Sequence, residues 1–263
     1  MNPFEQSMKR VPNNVPKIIK SEDLHCDKCD RNYTLATFED GSTTKVGCDC
    51  EMIALAKKQK ENHFKRIQRN KANKIFSKSL VNQRTQLARL DNYLPETDNL
   101  KKALNAAYRY VEIFDKEKPF SLYLHGTYGT GKTHLAYGIA HELKEKGYTV
   151  LFMNVAQLMS LIRSSYDKKS DYNELEIKSL INDVDLMVFD DIGVSESNHS
   201  LENLFEIIEM RLGKHNIYTT NLTAAEMSRD KKWQRIFSRI IGESHRFDMN
   251  GDDYRMKGIQ NDS

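Results

Sequence analysis

Between His125 and His134 the chain reads HGTYGTGKTH, in which glycines, a lysine and a threonine stand at the spacing G-x-x-x-x-G-K-[ST]. Glycines let the backbone turn sharply, so that successive N–H groups point into one concavity. A helix opening at Lys132 adds its positive N-terminal end. That combination suits a triphosphate. Gly126, Thr127, Tyr128, Gly129, Thr130, Gly131, Lys132, Thr133 and the adjoining His134 are therefore candidate ATP contacts, with Lys132 on the β- and γ-phosphates and the Thr133 hydroxyl on Mg²⁺. Downstream, DLMVFDDIG ends an apolar strand in Asp190 and Asp191. Asp190 is expected to hold Mg²⁺, directly or through water. Asp191 either polarises the attacking water or caps the next turn. Aspartate is one methylene shorter than the glutamate more often found there, so slow turnover is expected.

Three further groups of residues carry chemistry. In NIYTTNL the strand closes on the polar residues Thr219, Thr220 and Asn221, and the Asn221 amide can sense a γ-phosphate or cap the following helix. Arg235 and Arg239, four apart in QRIFSRI, share a helical face. Either can neutralise charge on a γ-phosphate held by a neighbouring copy, a device worth roughly 10³–10⁵ in rate in other phosphoryl-transfer enzymes. Arg255 in GDDYR can do the same within its own chain, and for any one arginine a solvated charge is an equal alternative. Cys26, Cys29, Cys48 and Cys50 are the chain's four cysteines, all within one short segment. With no secretory signal in the N-terminal residues, this clustering favours metal over disulfides. Zn²⁺ suits four thiolates. His25 or His63 can replace one cysteine, and an Fe–S cluster is the less favoured alternative.

The rest of the chain must position these groups. Hydrophobic residues make up 39% and charged residues 29% of 263, a balance that fits a mixed α/β protein with a sizeable core. No apolar run is long enough to span a membrane, so a cytoplasmic location is expected. The net charge of +3 conceals an uneven distribution, since residues 51–90 carry 11 basic and 2 acidic groups. That segment has no proline or glycine and reads as helix, in one or two pieces. With Phe64 and Phe76 interleaved, it can follow a phosphate backbone or an acidic surface, or serve as a solvated linker with two core rings. Residues 1–20 read as an extended lead, and TLATFEDGSTTKVGC as two short strands about a turn. Asn99 to Phe114 reads as an amphipathic helix with Leu100, Leu104, Ala107, Tyr108 and Val111 on its apolar face. After Pro119, strands at SLYLHG, TVLFMNV, DLMVFDD, NIYTTN and SHRFDM alternate with helices. This implies a mainly parallel sheet covered on both faces.

Taken as an ordered series, GTYGTGKTH, LMVFDDIG, YTTNL, RIFSRI and GDDYR resemble the AAA+ replicative helicase loaders of bacteria and their phages, the DnaC/DnaI type, over about residues 90–258. The resemblance implies that Lys132 and Thr133 are Walker A residues and Asp190 and Asp191 Walker B. It further implies Asn221 as sensor 1, Arg239 as arginine finger and Arg255 as sensor 2. It implies partners as well: a hexameric replicative helicase contacted by an N-terminal zinc module, single-stranded DNA, and further copies of the chain. Such loaders carry an extra helix after the second core strand that meets single-stranded DNA, which puts Tyr166, Lys168 and Lys169 forward, with an exposed turn as the alternative. Eight residues follow Arg255, too few for a helical lid. The expected architecture is a zinc-binding module (1–50), a basic helical linker (51–95) and a lidless AAA+ P-loop ATPase (96–263), acting as a slow switch that helps place a helicase on DNA. Alternatives are a transposition-helper ATPase on duplex DNA, a DNA-binding adaptor with a structural ATP site, and a small-molecule kinase.

Overall fold

The computed structural model describes residues 16–78, 82–167, 173–193, 198–228 and 230–256. The chain divides into two compact units that meet in sequence between Lys65 and Arg66.

The first unit is a three-stranded antiparallel meander, β1 (Ile18–Cys26), β2 (Arg31–Phe38) and β3 (Thr43–Val46), ordered β1-β2-β3 and followed by the start of α1 (Cys50–Lys78). Two strands were expected here. The third, β1, begins inside the segment read as an extended lead. Its sequence IIKSEDLHC has no clean alternation, because nearly every side chain in it is exposed. What defines it is pairing with β2, which runs from Ile18 opposite Phe38 to Cys26 opposite Arg31. Asp30 turns the first hairpin at φ 55°, and its N–H donates to the Cys26 carbonyl at 2.8 Å. Because β3 returns along β2, with Val46 opposite Thr34, the residues after β3 arrive at the end where the first turn lies. Phe64, in the basic helix α1, is 59% exposed; Phe76 lies outside the described side chains.

The second unit holds a five-stranded, all-parallel sheet of β4 (Ser121–His125), β5 (Val150–Asn154), β6 (Leu186–Ile192), β7 (His215–Thr220) and β8 (Ser244–Asp248). The strand order is β5-β6-β7-β4-β8. α2 (Gln83–Gln86) and α3 (Asp98–Glu112) precede it. α4 (Lys132–Glu145), α5 (Val155–Ser164), α6 (Glu174–Asp183), α7 (Asn198–Met210), α8 (Ala224–Met227) and α9 (Lys231–Gly242) follow within it. Two apolar clusters cover the sheet. One is built on β4, α3 and α4, with Leu124, Leu135 and Ile139, and the other on β6, α7 and α9, with Phe189, Ile207 and Ile236. Side-chain caps start the helices: Thr97 for α3, Asn154 for α5, Asn173 for α6 and Asp230 for α9. The buried face of α3 is Leu100, Ala103, Ala107, Tyr110 and Val111. Tyr108, expected on it, is exposed. Tyr110 takes its place because its ring packs edge-on against Phe114, Phe120 and His215 and its hydroxyl reaches His215 Nδ1 at 3.0 Å.

An arginine is built into this core. Arg211 is fully buried and donates to the carbonyls of Ile181, Val184 and His215 and to Asn216 Oδ1. Two of these carbonyls lie at the C-terminal end of α6, where the helix dipole favours a cation. Burial still lowers the Arg211 pKa to about 10. No described helix is long and apolar enough to cross a membrane.

Candidate nucleotide site and cysteine cluster

The glycine-rich loop joins β4 to α4 at the C-terminal edge of the sheet, the edge where open α/β sheets bind ligands. Gly131 adopts φ 85°. Any Cβ there would meet the Tyr93 ring at 2.4 Å, so the position requires glycine on both counts. The Tyr93 hydroxyl donates to the Thr130 carbonyl at 2.7 Å and braces the loop. Lys132 donates to the carbonyls of Gly126 at 3.0 Å and Thr127 at 2.5 Å. Burial lowers its pKa to about 8, against the opposing pull of Asp191 and Asp190. It therefore still carries its charge at neutral pH.

β7 lies between the loop strand β4 and the acidic strand β6, and its polar end ties them together. Asp190 Oδ1 accepts from Thr133 Oγ1 at 2.9 Å and from Thr219 Oγ1 at 2.7 Å. Burial pushes the Asp190 carboxyl up to about 6, while those two hydroxyls pull it down. The β6–β7 register slips between Phe189 and Ile192, and Asp191 takes up the slip at φ 60°. A non-glycine residue in that region is a strained backbone position of the kind that gathers at functional sites. It is held by its own N–H on Thr219 Oγ1 at 2.8 Å and by Asn221 Nδ2 on its Oδ1 at 3.1 Å. Asn221 is not the cap of the next helix; Thr223 caps α8.

These groups line one cavity of about 890 Å³, which takes in Tyr128, Gly129, Thr130, Gly131, Lys132, Thr133, His134, Asp190, Asp191, Asn221 and Arg255. That volume is in the range of small-molecule sites. Gly126 and Thr127 do not line it. The Thr127 hydroxyl instead donates to the Gly251 carbonyl at 2.8 Å. His134 lines the cavity, but its Nε2 is engaged with the Arg89 carbonyl and Asn92 Oδ1, each at 2.8 Å. Arg235 and Arg239 do not line this chain's own cavity. The Arg235 guanidinium stacks on the Phe205 ring at 4.4 Å, and Arg239 pairs with Glu209. Tyr166 is half exposed, its hydroxyl 3.1 Å from His199 Nε2. Lys168 and Lys169 lie outside the described residues. Tyr93 and the segment around Leu87, Ala88 and Leu94 also line the cavity or brace it and were missed in the sequence. Thr219, two residues before Asn221 at the end of the same strand, lines the cavity as well. Nothing in NYLPET marks Tyr93 as a brace for a loop 37 residues on.

In the first unit the Sγ atoms of Cys26, Cys29, Cys48 and Cys50 all lie within 4.8 Å of one another, with Cys29 and Cys48 at 3.7 Å. Tetrahedral Zn–S bonds of about 2.3 Å separate sulfurs by roughly 3.8 Å, so the donor set and spacing fit zinc. Hydrogen bonding from Cys48 lowers the Cys26 pKa to about 6, while the bond with Cys29 pushes Cys50 up to about 12. Neither His25 nor His63 belongs to the cluster, and the His25 ring is turned to Asn32 and Asp30.

A phosphate-binding loop, an acid pair one strand removed and a polar strand end between them define an AAA+-like α/β P-loop ATPase with an N-terminal cysteine cluster able to chelate a metal. Residues 50–261 match the family described as IstB-like ATP binding protein, and the chain belongs to that family. It is 32% identical over 209 residues to the replicative helicase loader DnaC of Escherichia coli (strain K12), covering 78% of this chain and 82% of that protein. Among solved structures, the DnaC helicase loader superposes with a TM-score of 0.57 at 25% identity, over 64% of this chain and 99% of that one. The DnaI structure gives 0.56 at 25% identity, over 66% and 94%.

Proposed function

We propose that the protein is an ATP-dependent loader that binds a hexameric replicative helicase and helps place it on single-stranded DNA. The observation that supports this most is the 32% identity to DnaC over 82% of that protein's length, with Lys132, Thr133, Asp190, Asp191, Asn221 and Arg255 gathered on one cavity. In this reading ATP with Mg²⁺ supplies the bond whose cleavage resets the switch. Lys132 neutralises the outer phosphates, and Thr133 and Asp190, already joined by a hydrogen bond, supply oxygens to the metal. Asp191 orients the water, held in place by Asn221. Arg239, or Arg235, completes the site of an adjacent copy by exchanging Glu209 or Phe205 for a phosphate. The shorter aspartate at 191 keeps turnover slow. The cysteine unit, loaded with zinc, grips the helicase, and Tyr166, Lys168 and Lys169 meet DNA.

The test is to mix the full chain with hexameric replicative helicases, with and without ATP, and measure the mass of the complex. An ATP-sensitive complex, lost on Cys29→Ser, is expected; absence of any complex sinks the reading. The family is described by ATP binding alone, which a second reading, an ATPase that coats duplex DNA beside a transposase, also meets. Such a protein would bind duplex DNA in an ATP-dependent manner and ignore the helicase.

A further inference from the structure

The segment after β8 is stitched to the phosphate loop. The Met249 N–H donates to the His125 carbonyl at 2.6 Å, and the Tyr254 N–H to the Gly129 carbonyl at 3.3 Å. Between these, Gly251 N–H donates back to Thr127 Oγ1 at 3.1 Å, and Asn250 Oδ1 accepts from the Thr127 N–H at 3.3 Å. At the end of this seam Asp253 is wedged against Gly129. A Cβ on that glycine would stand 1.8 Å from Asp253 Oδ1, so the loop glycine leaves room for this carboxylate.

The same carboxylate grips Arg255 with both oxygens. Arg255 Nε donates to Oδ1 at 3.0 Å and Nη2 to Oδ2 at 2.9 Å, while the Arg255 backbone N–H also reaches Oδ1 at 2.9 Å. A bidentate carboxylate fixes the plane of a guanidinium as well as its place, and among the described residues Nη1 makes no hydrogen bond. An ion pair two residues apart on an open surface contributes little. This pair differs in two respects. Asp253 is anchored on the phosphate loop with its side chain only 27% exposed, and Arg255 lines the cavity, close enough for its charge to lower the Lys132 pKa.

We infer that Asp253 is a positioning residue: braced on Gly129, it presents the Arg255 guanidinium to the outer phosphate and so sets the preference for ATP over ADP. This rests on the reading of Arg255 as a nucleotide-facing group. The experiment measures ATP and ADP dissociation constants on full-length wild type, Asp253→Asn, Arg255→Ala and the double variant, with melting temperatures alongside. Arg255→Ala is expected to lose the ATP preference. Asp253→Asn, with Arg255 intact, is expected to lose roughly tenfold of it, the order of one hydrogen bond to a charged group, and the double variant to fall no further than Arg255→Ala. Asp253→Ser, which removes the carboxylate and eases the contact with Gly129, should match Asp253→Asn. If Arg255→Ala abolishes the preference while both Asp253 variants keep it, or weaken ATP and ADP equally, the role of Asp253 is overturned and that of Arg255 stands. If Arg255→Ala itself keeps the preference, both fall.

Discussion

Around the four cysteines, Ala36 and Cys48 alone are buried among the described residues of the first unit. Around the glycine loop, two apolar clusters close over both faces of a parallel sheet. Each region gathers reactive side chains within a few ångströms, but by different means. The sheet holds Lys132, Asp190 and Asn221 through strand order and packing. The meander has too little apolar surface to hold its sulfurs together by burial, and small units of this kind are completed by metal. The contrast implies that the two units lose structure independently and for different reasons.

The largest effect expected is on the cysteine unit. Structural zinc contributes on the order of 10 kcal/mol to folding such a segment. A chelator or Cys29→Ser should therefore remove the strand signal of the first unit and its protection from proteolysis, leaving the ATPase melting transition in place. A shared transition that shifts with chelator would break the contrast. The next effect belongs to the second unit. Arg211→Met leaves several buried carbonyls without their donor, at a cost of about 3 kcal/mol or more. It should lower the ATPase melting temperature by roughly 10 °C without changing metal content, as read by calorimetry and zinc analysis. The smallest effect is on pH dependence. Burial lowers the His215 pKa from 6.5, against the opposing pull of the Asp115 and Phe120 carbonyls on its two ring nitrogens. The neutral ring is thus favoured in the fold. Stability from this residue is complete above the unfolded-state value and declines as pH falls below it, because the unfolded chain takes up the proton first. The urea midpoint of the ATPase transition should fall between about pH 7.5 and about pH 5.5, and less so in His215→Gln. Equal slopes in the two proteins would sink the assignment.

Much of the site was legible because its chemistry is local. A lysine and a threonine after a glycine turn, two aspartates closing an apolar strand, and an asparagine ending the neighbouring strand are contiguous patterns with direct physical meaning. Tyr93 and Asp253 were not legible, because each acts on the loop across a long sequence separation, through a ring seated on Gly131 and a carboxylate seated on Gly129. Likewise β1 was missed because its side chains are exposed, so burial imposes no alternation on its sequence.

What the amino-acid sequence determined by itself was the kind of chemistry: a loop built for phosphates, a metal-ready acid pair and four clustered thiols. It also set the alternation of strands and helices, since hydrophobic period and turn residues are encoded over a few positions. Only the tertiary structure decided that β7 comes between the loop and acid strands, that Asp191 stands in a strained backbone position held by Asn221, and that the end of the chain's sheet is stitched to the phosphate loop. Those facts depend on which distant segments pack together, and that is settled by the shared burial of whole elements.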